Sequence, residues 1–347
     1  MRTRRMRTPR TLPAALAATA VLLALTGCGT EKATGTTAQA APGEGRRIGA
    51  TQVAHVSDVH EATGMTLLEG PVLDERGRRL TLVDVTAPPG EPKVLSVDVA
   101  TGKHQGLYTD TTGAYTSAQV SPYDGRLYLS DFATGAVVSV ARDGSDPRTF
   151  FTGKVDGARM TPDDIAFDDA GHLYISDAQG TEPGESDGRI VRVDRDGKRA
   201  TVLADGLAQP NGIMFDPGLR GLWISELEKD TVSYLLLDAE KTTVTSRHEA
   251  IHVDGGLAQT DSIAVDADGN LYQGLHGRPA LAVYSKYGAR LATVEIPARD
   301  AEGLSSATNV AITPGGTKAY MTVSGPDGGY VYGFRALGKG IRQSNGG

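Results

Sequence analysis

Six polar positions recur along this chain at nearly equal intervals: Glu69, Thr116, Asp163, Asn211, Asp261 and Thr308, separated by 47, 47, 48, 50 and 47 residues. Three are carboxylates, one is an amide and two are hydroxyls. Each is followed within a few residues by an apolar run, as in Asp163-Asp164-Ile165-Ala166-Phe167. If the intervals mark a structural repeat, the six side chains meet at one level on a common axis. Carboxylates brought together repel one another or raise one another's pKa, and a divalent cation relieves both effects. The donors are all nitrogen-free or amide oxygens, with neither sulfur nor imidazole in the set. Such hard donors suit calcium or magnesium, with manganese a further option. Ser262 and Asn309, one position further on, add two more. The competing explanation is a wet channel mouth, where polar residues gather and an Asp at a strand start merely caps a turn.

The elements that must position these residues follow from the repeat itself. A short apolar strand, a turn with Asp and Gly, and a second apolar strand recur at Val72–Val83, Gln119–Ser130, Ile165–Ser176, Ile213–Ser225, Ile263–Gln273 and Val310–Thr322. The first apolar residue after each turn is Leu80, Leu127, Leu173, Leu222, Leu271 and Ala319, in steps of 47, 46, 49, 49 and 48. A third strand follows, such as Arg189–Val193, and then a fourth. Four short strands in fewer than fifty residues make one propeller blade, and six copies make a ring. The fold class expected is therefore all-β, a six-bladed β-propeller, with each first strand on the central channel. Val53–Val59 supplies the outer strand that closes the ring. A blade alone cannot bury both faces, so the ring is one domain. The 44 glycines and the scarcity of aromatics, 5%, agree with a turn-rich β protein.

The residues of the polar ring lie in recognisable motifs: Glu69-Gly70-Pro71, Pro162-Asp163-Asp164-Ile165, Pro210-Asn211-Gly212-Ile213, Asp261-Ser262-Ile263-Ala264 and Asp268-Gly269-Asn270-Leu271-Tyr272. Together, in this order, they resemble the family of senescence marker protein, gluconolactonase and luciferin-regenerating enzyme, from Glu69 to Phe334. The chain looks most similar to the drug-responsive lactonase branch, which has Asp-Asp where others have Asn-Asp, and Asp-Ser where others have Asp-Gly. The resemblance implies a propeller with one catalytic Ca2+ on the axis. It implies Glu69, Asp163, Asn211 and Asp261 as ligands with Ser262 beside them, and Asp261 as the acid/base residue. The implied reaction is hydrolysis of a small-molecule lactone through a metal-polarised carbonyl and an activated water. That branch also holds a second, structural calcium near loops equivalent to Asp131–Gly135 and Lys154–Met160. This chain departs from the pattern there, and a single ion is expected.

Other chemistry is weakly supported. There is no Gly-x-Ser-x-Gly nucleophile elbow. His276, in Leu275-His276-Gly277, ends a second strand on the face of the ring that carries the polar positions. It is a candidate for lining the substrate pocket or assisting proton transfer, against the plainer role of a surface histidine. The loop from Asp177 to Gly188 is long and polar, suited equally to a lid or to a surface loop. The rival to an enzyme is a non-catalytic propeller at the cell surface that binds a small ligand or a protein partner, since the fold hosts both.

The N-terminal segment addresses the chain. Arg2, Arg4, Arg5, Arg7 and Arg10 precede an apolar run from Leu12 to Leu25, too short for a comfortable membrane span. Leu25-Thr26-Gly27-Cys28 resembles a bacterial lipobox, which implies cleavage before Cys28 and its acylation. Residues 1–27 are expected to be a signal peptide, 28–47 a flexible tether and 48–347 the propeller, a monomer anchored by lipid on the extracytoplasmic face of the cell membrane. Cys28 is the only cysteine, so the body has no thiolate site and no disulfide. The formal charge is -7, and the leader holds five arginines and no acid, which leaves -12 on the rest. So acidic a body argues against nucleic acid as a partner.

Overall fold

The computed structural model describes residues 45–179 and 186–343. The expected signal peptide, Cys28, most of the expected tether and the middle of the Asp177–Gly188 loop lie outside the described residues. Ala40–Gly347 is one compact unit. Its described residues form β-strands and one short 3₁₀ turn, Leu227–Lys229, so the chain is all-β.

Four sheets have four strands each, joined up and down in sequence order. Their first strands are Leu68–Leu73, Tyr115–Val120, Pro162–Phe167 and Pro210–Phe215. Lys154–Val155 and Ala158–Arg159 form a small two-stranded sheet, and the remaining strands belong to one nine-stranded sheet. It divides into two further units, starting at Gln259–Val265 and Ser306–Ile312, which share a single backbone pairing, Leu275 with Ala307. First strands of consecutive units pack side by side, and Ser306–Ile312 packs back on Leu68–Leu73, so the series closes on itself.

Burial explains why the units need one another. First strands are buried almost throughout, whereas last strands such as His104–Thr109 are mostly exposed. Each of the six apolar clusters draws side chains from two neighbouring units. Between the third and fourth, Tyr174 meets Phe215 edge-on at 4.9 Å between ring centres, among Ile190, Ile213 and Leu222. Burying each such large side chain contributes about 1.5–3 kcal/mol, and a unit standing alone forfeits it on both faces.

The chain's two ends meet in the last unit. Thr51–Ser57 pairs antiparallel with Gly328–Arg335 as its outer strand, two residues earlier than the Val53–Val59 segment read from sequence. Arg46–Gly49 adds a further strand, parallel to Arg290–Glu295. Arg46 and Arg47, assigned to the tether on composition, thus form part of a sheet edge.

Every first strand is irregular at the same place. Pairing with the second strand slips between Glu69 and Val72, Tyr115 and Ser117, Pro162 and Ile165, Pro210 and Ile213, Thr260 and Ile263, and Ala307 and Asn309. These bulges fall on the six polar positions or directly after them. A bulge re-aims side chains that strict alternation would send to opposite faces.

Candidate functional site

In the third, fourth and fifth units the bulge sets two residues of the first strand against one of the second: Asp163-Asp164 against Ser176, Asn211-Gly212 against Ser225, Asp261-Ser262 against Gly274. The extra residue leaves an N–H to satisfy. The Ser176 hydroxyl accepts from Asp164 N at 2.8 Å and donates to the carbonyl of Asn211 in the next unit. The Ser225 hydroxyl accepts from Gly212 N at 2.7 Å and donates to the carbonyl of Asp261 at 2.6 Å. Ser130 likewise donates to the carbonyl of Asp163. Ser176 and Ser225 therefore each fix a bulge in their own unit, and all three serines hold the backbone of a polar-ring residue in the next. The sequence carries this signal as Leu127, Leu173 and Leu222, each followed three residues later by a serine; the reading by residue chemistry passed over it.

The two threonines of the ring have a similar duty. Thr116 donates to the carbonyls of Pro162 and Asp163 at 3.2 and 3.0 Å, and Thr308 donates to that of Leu68 at 2.6 Å. Their hydroxyls are engaged in joining units, so they are not the free axial donors the spacing suggested.

The remaining positions come together. Glu69 is 7% exposed, Asp261 3% and Asp164 0%, while Asp163 is partly exposed. The Asn211 amide donates to Asp163 Oδ2 at 3.3 Å and accepts from the buried Ser262 hydroxyl at 3.5 Å. Asp261 Oδ1 accepts the N–H of Ser262 at 2.9 Å, and its Oδ2 lies 3.8 Å from Nδ1 of half-exposed His276. Burial, then the charges of Asp261, Asp164 and Asp163, pushes Glu69 well above the usual carboxylate range. Burial and the charge of Asp163 do the same to Asp164 and Asp261. Burial raises Asp163 to about 7 and lowers His276.

Asp164 is the residue whose place the spacing did not reveal. Alternation along a regular strand points it away from Asp163, but the bulge leaves both in the same charge cluster. Glu69 Oε2 and both carboxylate oxygens of Asp164 are buried without a hydrogen bond of ordinary geometry; the hydroxyls of Ser262 and Ser117 beside Asp164, and of Thr308 beside Glu69, offset only part of the cost of burial. Buried acceptors are nearly always satisfied, so orphaned carboxylate oxygens call for a donor or a cation. The donor set fits a hard cation, although among the described residues no three His, Cys, Asp or Glu side chains are already gathered closely enough to hold one.

Not every buried acid belongs here. Asp131, Asp177 and Glu226 end second strands and are fully used by their own units; Asp177, for instance, accepts from Thr161 N, Gln179 and Arg189. At the loops Asp131–Gly135 and Lys154–Met160, Arg159 donates to the carbonyls of Ala133 and Thr134, which sets a fixed cation against that turn.

The family model described as SMP-30/Gluconolactonase/LRE-like region matches residues 67–325. The lactonase drp35 of Staphylococcus saprophyticus is 28% identical over 225 residues, which cover 62% of this chain and 68% of that protein. Among solved structures, the gluconolactonase XC5397 of Xanthomonas campestris superposes with a TM-score of 0.64 at 20% identity, covering 82% of this chain and 97% of the other. Regucalcin of Agrobacterium tumefaciens, described as a calcium-binding protein, superposes with a TM-score of 0.65 at 16% identity, covering 86% and 99%. A match of that family model across three quarters of the chain's length, on a serially repeated all-β fold, places this chain in the SMP-30/gluconolactonase/LRE-like family.

Proposed function

We propose that this chain is an exported, calcium-dependent lactonase whose six four-stranded units are the blades of a propeller. The observation that carries the reading is the pair of buried, orphaned carboxylates, Glu69 and Asp164, in a cluster of four acids that burial raises above the usual carboxylate range. That cluster lies in a chain whose relatives include lactonases.

Glu69, Asp163, Asn211 and Asp261 would hold the ion, with Ser262 beside them. When bound, calcium supplies a Lewis acid for the lactone carbonyl oxygen and a fixed place for water. The chain's own groups do the rest. Asp261 Oδ1 is committed to the Ser262 N–H, which leaves Oδ2 to take a proton from the attacking water and return it to the leaving alkoxide. His276 stands against that oxygen and, held neutral by burial, helps to orient it. The Ser225 clamp on the Asp261 carbonyl keeps the strand from shifting as the proton moves. In this reading Cys28 is acylated, and the enzyme stands on the extracytoplasmic face of the cell membrane as a monomer.

The test is hydrolysis of a lactone panel — aliphatic, aromatic and sugar-derived rings — by calcium-loaded protein. Ring opening of at least one class, lost in Asp261→Asn, is the expected result. Tight binding of a lactone without turnover of any would make the chain a ligand-binding propeller instead.

A further inference from the structure

The end of the molecule away from the site is charged unlike the rest. The site residues stand at the beginnings of the first strands, so the turns leading to the second strands lie at the opposite end of each sheet. In the first unit that turn carries Arg76, Arg78 and Arg79; in the last, the turn and the following tail carry Lys318, Lys339 and Arg342. All six are exposed, and among the described residues none makes an ion pair. On the same end of the third and fourth units most cations are paired, Arg192 with Asp194, Lys198 with Asp196, Arg220 with Asp216 and Lys241 with Asp169, while Arg195 lies over the Tyr123 ring and Arg199, among the described residues, makes no ion pair.

The cations of the first and last units form one patch. A Cβ on Gly77, in the first turn, would stand 2.6 Å from Thr313, so the turns of the first and last units touch. Gly340, in the tail, sits against the carbonyls of Ile312 and Thr313 and exchanges backbone bonds with Gly315 and Gly316. A cleft of about 460 Å³ between them is lined by Arg76, Arg142 and Arg342, with Asp74 and Glu75 on its wall. The first unit's other turn at this end adds Asp98 with Lys103, and the turn that carries Arg142 adds Asp143 and Asp146; the cations still outnumber the acids. The residues after the leader carry -12 overall, so the patch inverts the charge of its surroundings and leaves the remaining surface more acidic still.

We propose that this basic face docks on an anionic lipid bilayer and holds the molecule with its site turned away from the membrane. The guanidinium groups are free to take phosphodiester headgroups bidentately, and the acidic remainder is repelled by the same surface. Where Cys28 is acylated, the residues between it and Gly45 span up to about 60 Å when extended, so a lipid anchor alone leaves the body free to tumble. The patch removes that freedom. The inference does not depend on what reaction the site performs.

Vesicle flotation tests it, using the chain from Ala40 onward, which contains every described strand and lacks the leader arginines. The protein should float with vesicles containing roughly one-third phosphatidylglycerol, stay behind with pure phosphatidylcholine, and be released at about 1 M salt, where screening acts within about 3 Å. Each cation at an anionic surface is worth about fivefold in affinity, so Arg76→Glu, Arg78→Glu and Lys339→Glu together should weaken binding by about 10²-fold or more. Arg47→Glu, Lys154→Glu and Arg299→Glu make the same change in net charge at exposed positions away from these turns and should cost far less. Absence of binding to the anionic vesicles overturns the proposal, as does equal loss in the two triple variants, which would reduce it to net charge. Binding to inorganic polyphosphate but not to vesicles would assign the face to a soluble polyanion and overturn it too. Lactone hydrolysis, measured alongside, should be the same in both variants whichever way the vesicle result falls.

Discussion

With divalent ions stripped by a chelator, the protein should lose stability as pH rises through neutrality. Asp163 carries the calculation: burial moves its pKa from an ordinary 3.8 to about 7 in the folded chain. Between those values the folded state holds a proton that the unfolded state has released, so raising the pH favours unfolding. The stabilisation is complete below about pH 4 and exhausted above about pH 7. At about 1.4 kcal/mol for each pH unit between the two values, the loss is about 4 kcal/mol. For a body of about 300 residues the unfolding entropy is about 0.6 kcal/mol/K, so Tm should fall by about 7 °C. Glu69, Asp164 and Asp261 are raised as well and act in the same direction. Calcium at about 100 times its Kd should restore about 2.7 kcal/mol and flatten the profile. The assay is thermal unfolding from pH 4 to 8 with chelator, with calcium, and in Asp163→Asn, which keeps the side-chain shape without the proton. A chelated wild type whose Tm is flat or rising with pH, or that matches Asp163→Asn at every pH, would refute the reasoning.

Asp261→Asn keeps an oxygen donor but cannot exchange a proton, so the rate should fall by about 10²-fold or more and saturating calcium should not restore it; rescue to near wild-type rates would move the acid/base role to His276 or Asp164. Asn211→Ala removes a neutral ligand only, and a calcium titration should recover much of its activity. Ser225→Ala strips the buried Gly212 N–H of its acceptor, while the Asp261 carbonyl keeps Gln273 at 2.7 Å. The cost should be about 1–3 kcal/mol, or about 2–5 °C in a melting curve, and an unchanged Tm would show that the clamp carries nothing. Cys28→Ser should leave the membrane fraction on a salt wash that retains the wild type; a variant retained equally would contradict acylation at that position.

The repeat was legible because it is written in spacing: the steps from Leu80 to Ala319 vary by only a few residues, and the four-stranded units follow that register. The polar ring was legible in the same way, and Glu69, Asn211 and Asp261 are all buried near one another as counted. What spacing could not reveal was orientation. Asp164 reads as facing away from Asp163 until a bulge intervenes, and a bulge changes the pairing of strands without changing the period. Thr116 and Thr308 match the ring in position, yet a hydroxyl that bonds a neighbouring carbonyl looks the same in sequence as one that faces a channel. Arg46–Gly49 was missed for another reason: it is held at a sheet edge by backbone bonds and is mostly exposed, so no apolar pattern marks it. The serines at 130, 176 and 225 were visible as a period but had no chemistry to recommend them until their partners across the units were seen.

The central claim is that an ion held by the buried carboxylates is required for lactone hydrolysis. The direct measurement is turnover of a lactone substrate by protein whose metal content is followed by elemental analysis, before chelation, after it, and after calcium is returned. About one calcium per active chain is expected, with activity lost with the metal and restored by calcium in proportion to the metal rebound. Full turnover by metal-free protein would contradict it.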